Sequence, residues 1–147
     1  MYQNMLVAVD GSHTSEIALK EAIKLCKALQ GRLRILHAVE IQFNWEGTYA
    51  DPSTLWDAMI RDGADVLRKA GATAAAAGVS AETKLIKIEN IGRRIQDVVE
   101  EEAHTWPADL IVIGTHGRRG INRIFMGSVA EGVIRIATKP VLLIRGE

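Results

Sequence analysis

The sequence predicts a single α/β domain, an open five-stranded parallel sheet with helices packed on both faces. Three observations carry that expectation. Short apolar runs alternate with longer segments of helical periodicity along the chain, the pattern of strand–helix–strand units whose crossovers require parallel strands. The 147 residues are enough to close one core and too few for two. No internal repeat and no linker interrupts them, so one domain is expected over residues 1–147.

The elements follow in order. Met5 to Val9 (MLVAV) is an apolar run ending at Asp10-Gly11, and reads as a fully buried strand. Ser12 or Thr14 can cap the next helix, with Glu16 favourably placed in its first turn. Ile17, Ala18, Ala22, Leu25, Cys26 and Leu29 recur at helical spacing, and Gly31 is expected to end that helix. Leu33 to Val39 (LRILHAV) is the second strand, and Glu40 to Asp51 reads as a loop. A long helix runs from about Ser53 to Ala77, where Gly78 stops it, and its alanine-rich tail favours helix over linker. Glu82 to Ile88 is a third strand, with Thr83, Leu85, Ile86 and Ile88 among Lys84 and Lys87. Ile91 to His104 is expected to be helical, with Ile95, Val98 and Val99 on one face, until Pro107-Ala108-Asp109 breaks it. Leu110 to Ile113 (LIVI) is the fourth strand, Gly127-Ser128 opens the last helix, and Val141 to Ile144 (VLLI) is the fifth strand. Val129, Val133, Ile136 and Ala137 would face inward from that last helix.

The composition narrows the function classes. Apolar residues make up 48% of the chain and charged residues 24%, ordinary for a soluble globular protein. Lys plus Arg and Asp plus Glu number 18 each, so the chain lacks the global field of a nucleic-acid binder. The single cysteine, Cys26, cannot form an internal disulfide and reads as a buried thiol. One cysteine and four scattered histidines exclude a zinc site, and no G-x-S-x-G elbow supports a serine hydrolase. The N-terminus reads as no signal peptide, and no segment approaches the roughly 20 apolar residues that span a bilayer. A cytoplasmic protein with neither membrane nor nucleic acid as partner is the expectation.

In a parallel sheet, ligands bind beyond the carboxyl ends of the strands, where the winding direction reverses. Three distinctive stretches fall at such ends: Asp10-Gly11-Ser12, Ala38-Val39-Glu40, and GTHGRRGINRIFMGS from Gly114 to Ser128. Glycines let a backbone approach an anion closely, and the unpaired N–H groups of a helix start attract phosphate. Gly114 and Gly117 can form one wall of such a seat, with Gly127 and Ser128 as the other. The chain has neither G-x-x-x-x-G-K-[ST] nor G-x-G-x-x-G at its first turn, so neither common nucleotide fingerprint applies.

The motifs VAVDGS, HAV, DLIVIGTHGRRG, MGSVAEGV and KPVLLIR, spread nearly end to end, resemble those of nucleotide-binding universal stress proteins. The family's ATP-binding pattern, G-2x-G-9x-G-(S/T), is matched in full by Gly114, Gly117, Gly127 and Ser128. The resemblance implies a Rossmann-like sheet of the adenine nucleotide alpha hydrolase type, in the order 3-2-1-4-5. It implies that Val39 offers backbone groups to adenine, while Asp10 accepts from a ribose hydroxyl or supports a metal. On chemistry alone Asp10 caps the next helix instead. The implied cofactor is ATP, or ADP or AMP, with Mg²⁺ held through the bound nucleotide by Asp10 or Ser128. A homodimer through the edge strand Val141 to Arg145 is implied too. The segment from Glu40 to Ser80 departs most from the family, and nothing is inferred from it.

The remaining candidates have two readings each. His116 touches phosphate or faces water, His13 shares that choice at the same rim, and Val129 follows Ser128 at the helix start. Arg118, Arg119 and Arg123 are natural partners for phosphate oxygens, and one of them is expected to touch ligand. His37 reads as a packed sheet residue, His104 as a favourable helix end, and Arg93-Arg94 as an exposed helix start. Trp45, Trp56 and Trp106 read as anchors of packing or of an interface, with base stacking as a second reading for Trp45. Rapid phosphoryl transfer needs a metal clamp, a fixed cation and a group that orients water, and only the phosphate seat is visible. The expectation is therefore an ATP-binding regulatory module of the stress response with slow or no hydrolysis. Its alternatives are an interaction protein of the same fold that binds no nucleotide, and a slow nucleotide-using enzyme.

Overall fold

The computed structural model describes residues 2–40, 52–116 and 126–146. Among these residues nine elements alternate: β1 (Asn4–Ala8), α1 (His13–Leu29), β2 (Arg32–Glu40), α2 (Pro52–Ala76), β3 (Ala81–Ile88), α3 (Ile95–Thr105), β4 (Leu110–Gly114), α4 (Ser128–Ile136) and β5 (Val141–Ile144). The strands form one parallel sheet in the order β3-β2-β1-β4-β5. This is the predicted architecture and the predicted order.

Alternation along each strand sorts the core into two layers. Met5, Val7, Leu33, Ile35 and Val112 face α1 and α2, meeting Leu19, Ile23, Leu67 and Ala70. Leu6, Leu36, Ile111 and Ile113 point the opposite way and meet Val99, Ala103, Trp106 and Val133 at α3 and α4. Both faces of β1 and β4 are thus covered, which is why both strands read as unbroken apolar runs.

Local chemistry sets the boundaries, and two of them differ from expectation. Ser12 caps α1, its hydroxyl accepting from the Ser15 N–H at 3.2 Å. The left-handed residue that ends α1 is Gln30, at φ 53°, not Gly31. Residue 31 is glycine for another reason: a Cβ there would lie 2.6 Å from the Gln3 carbonyl oxygen, where β2 begins alongside β1. The second difference is α3, which starts at Ile95 rather than Ile91. Gly92 at φ 93° makes a left-handed turn that no helix can contain, and it leaves Ile91 97% exposed. Arg94 becomes the N-cap residue, and its N–H donates to Asp97 Oδ2 at 2.9 Å.

A buried ion cluster joins α3 to the sheet. Glu102, only 3% exposed, accepts from Arg34 Nη1 at 2.5 Å and Lys84 Nζ at 3.0 Å. Arg34 also pairs with Glu82 at 2.5 Å and stacks 5.0 Å from the Trp106 ring centre. Trp106 is the packing anchor expected of it. Cys26 is buried, and burial pushes its thiol up against the smaller opposing effect of its hydrogen bond to the Gly31 carbonyl. Among the described residues no helix is long and apolar enough to cross a membrane, and no cluster of three or more His, Cys, Asp or Glu could hold a metal.

Candidate functional site

The strand order reverses between β1 and β4, so α1 and α4 leave from adjacent strand ends toward opposite faces. Val7 pairs with Val112, and two further residues bring Val9 beside Gly114. The Asp10 turn and the Gly114 turn therefore flank one crevice, as expected for this topology.

The Asp10 turn is tightly knit. Gly11 sits at φ 83°, the conformation a tight Asp-Gly turn requires. Asp10 Oδ1 accepts from the Ser12 N–H at 2.9 Å, and the Asp10 N–H reaches Ser15 Oγ at 3.3 Å. Asp10 thus braces the start of α1, the capping reading, while standing at the crevice rim where the second reading needs it.

On the other wall, the Gly127 N–H donates to the Thr115 carbonyl at 2.6 Å. That bond clasps the two ends of the glycine segment together, and the Thr115 N–H ties the clasp to Ile144 of β5 at 2.9 Å. Gly127 is the N-cap of α4 and supplies no side chain to its first turn. The N–H groups of Ser128, Val129 and Ala130 have no partner within the helix, the kind of groups that an anion takes up. Gly127 itself spends its N–H on the clasp, so the N–H groups left over by helix geometry begin at Ser128.

Gly114 has a packing reason to be glycine beside the one its motif predicts. A Cβ there would lie 2.8 Å from Thr14 Cγ2 and 3.2 Å from the Thr14 carbonyl oxygen. Its missing side chain lets the first turn of α1 lie against the end of β4. Beside it, His116 Nδ1 is 3.0 Å from Thr115 Oγ1, which orients the ring. His116 Nε2 is buried and without a partner among the described residues, the kind of group that an incoming acceptor would satisfy. Gly117, Arg118, Arg119, Arg123 and Trp45 lie outside the described residues.

Val39 is on β2 opposite Lys87, with its side chain 3% exposed beneath α2, so only its peptide group can serve a ligand. Next to it opens a cavity of about 580 Å³, lined by Glu40, Trp56, Asn90, Arg93, Gln96 and Ser128 among others. Gly132 brings α3 against α4 at this wall, since a Cβ there would meet Gln96 Cδ at 2.7 Å. Arg93 reaches back to pair with Glu101. Sequence reasoning missed this cavity, and took Trp56 and Arg93-Arg94 for packing and surface groups. The Gly92 turn is the signal that could have found it, because it breaks the chain just after β3 and lines the cavity.

The fold and the crevice define an α/β protein with a candidate anion seat at the switch point of its sheet. The chain belongs to the universal stress protein family, whose model matches residues 1–145. It is similar to universal stress protein YxiE of Bacillus subtilis, at 34% identity over 99% of this chain and 100% of that one. A universal stress protein of Methanocaldococcus jannaschii is 32% identical over 99% of this chain and 83% of its own length. Among solved structures, a family member from Burkholderia pseudomallei is 35% identical with a TM-score of 0.79, covering 97% of this chain and 96% of that one. A universal stress protein in complex with cAMP is 28% identical with a TM-score of 0.71, covering 97% and 96%. One from Archaeoglobus fulgidus in complex with dAMP is 26% identical with a TM-score of 0.68, covering 97% and 98%.

Proposed function

We propose that this protein binds an adenine nucleotide in the crevice between the Asp10 turn and the start of α4, and acts as a regulatory module rather than as a fast enzyme. The observation that carries the reading is the Gly127–Thr115 clasp, which holds the uncapped first turn of α4 beside the reversal point of the sheet. The solved relatives with cAMP and dAMP support the same ligand class. Phosphate oxygens accept from the N–H groups of Ser128 and Val129, and His116 Nε2 and Arg118 reach the same anion. The ribose lies by Asp10 and the base by the Val39 peptide, with the cavity under Trp56 open beside it. ATP, ADP and AMP share these contacts. With ATP, Mg²⁺ neutralises phosphate charge, with Asp10 or the Ser128 hydroxyl as its protein ligand. Binding at the crevice alters the surface that a stress-response partner meets.

The protein is proposed to work as a homodimer. Among the described residues β5 pairs with β4 alone, and its Leu142 is exposed. An edge of unpaired N–H and C=O groups is a template for a second copy through Val141 to Arg145.

Mass spectrometry of the purified protein for a retained nucleotide, followed by titration calorimetry with AMP and ATP, tests the reading. Saturable one-to-one binding is expected, and Gly117→Val should abolish it without unfolding the chain. Absence of binding by the wild type would leave an interaction protein of the same fold. Sedimentation showing only monomer at high micromolar concentration would remove the dimer.

A further inference from the structure

His37 lies on the face of β2 covered by α2, where it looks like one more packed sheet residue. Its contacts are more specific than that. Nδ1 is 2.7 Å from the carbonyl oxygen of Val9. A carbonyl can only accept, so Nδ1 carries the proton and donates. Val9 is the residue at which the chain leaves the sheet: its N–H still donates to the Leu36 carbonyl at 2.9 Å, and Asp10 comes next.

The ring is held from above. Gly63 lies inside α2, where glycine is less favourable than alanine. A Cβ there would stand 2.8 Å from His37 Cδ2, 2.8 Å from Leu85 Cδ1 and 3.1 Å from Val39 Cγ2. The missing side chain is thus a notch through which α2 presses on the imidazole and on Val39 together.

We propose that His37 is a positioning residue for the nucleotide crevice: its Nδ1–H, clamped under the Gly63 notch, holds the Val9 carbonyl and so sets the peptide plane that aims Asp10. The Asp10 turn is then fixed from two sides, by the Ser12–Ser15 cap of α1 and by an imidazole reaching over from β2. Because Gly63 also touches Val39, one notch in α2 registers both strand ends that flank the base and ribose. This inference rests on the nucleotide reading above and adds a residue that touches no ligand.

The test compares His37→Phe, which keeps a flat ring without the donor, with His37→Asn, whose amide N–H can stand where Nδ1 does. AMP affinity is read by calorimetry and folding by thermal unfolding. His37→Phe should bind AMP about tenfold more weakly than wild type, and His37→Asn should recover most of the loss. Equal affinity of His37→Phe and wild type would overturn the proposal, as would an equal loss in both variants. Should His37→Phe fail to fold, His37→Asn and the ring-nitrogen resonances of the wild type decide. A wild-type ring protonated at Nδ1 is expected, and one protonated only at Nε2 would refute the Val9 contact. If wild type itself binds no AMP, the nucleotide reading falls and this proposal with it, whereas binding by wild type that is indifferent to His37 sinks the proposal alone.

Discussion

Replacing Gly114 with alanine separates two reasons for a glycine in this motif. An anion seat needs a bare backbone on the ligand side, whereas the structure puts Thr14 on the vacant side of Gly114. The new Cβ would meet Thr14 Cγ2 at 2.8 Å and the Thr14 carbonyl oxygen and carbon at 3.2 and 3.3 Å. Thr14 is β-branched and sits in the first turn of α1, so its methyl has little freedom to retreat. Overpacking of this kind costs about 1–3 kcal/mol, and one severe contact with two tight ones points to about 2 kcal/mol. For a chain of 147 residues that is a fall in Tm of about 4–8 °C. Thr14→Ser removes the methyl and leaves the carbonyl contacts, so it should recover about 1 kcal/mol in the double variant. Urea unfolding of the four proteins in the cycle measures both quantities. A Gly114→Ala variant within about 0.5 kcal/mol of wild type, or strictly additive effects of the two changes, would refute the packing role. A loss of nucleotide affinity without loss of stability would leave the anion seat as the reason for Gly114.

Two further predictions concern the frame that carries the crevice. Glu102→Ala strips the buried partner from Arg34, and breaking a buried pair in this way costs about 3–5 kcal/mol. Arg34 keeps Glu82 and Lys84 is half exposed, so about 3 kcal/mol is expected in urea unfolding, and a cost under about 1 kcal/mol would contradict it. Asp109 Oδ2 accepts from the N–H groups of Asn4 and Gln3 at 2.9 and 3.0 Å, and these two bonds hold its carboxyl below the usual range, with burial opposing. A depressed folded value stabilises the protein above the unfolded value of about 3.9, and that contribution is lost as pH falls through the folded value. The stability gap between wild type and Asp109→Asn should therefore hold steady from pH 7 to 5 and narrow by pH 3, and a gap that widens on acidification would contradict the sign.

Much of this architecture was legible in the sequence because it rests on local patterns. MLVAV and LIVI announced strands buried on both faces, Ser12 announced a helix start, and Gly127-Ser128 announced another. What escaped were features created by contacts distant in sequence. Gly31 looked like a helix stop, but its constraint is the Gln3 carbonyl on the neighbouring strand. Gly114 was legible as a candidate phosphate glycine, while the constraint from a threonine 100 residues earlier was not. Ile91 fitted helical spacing, and only the handedness of the Gly92 turn excludes it from α3. The buried ion pairing of Glu102 has no local signal in the sequence, because sheet register brings Arg34 and Lys84 to it. His37 was legible as a sheet residue, while the donor it turns toward Val9 was not. The site was legible as a set of strand ends, and its hydrogen-bonded clasp and neighbouring cavity were not.

The account turns on whether the first turn of α4 receives a phosphate. Titrating isotopically labelled protein with AMP and following the backbone amides of Ser128, Val129 and Ala130 by NMR addresses this residue by residue. These three amides should shift downfield and saturate together with Asp10, as hydrogen bonds to phosphate form at one wall of the crevice and ribose meets the other. Saturable binding that leaves all three unmoved would contradict it.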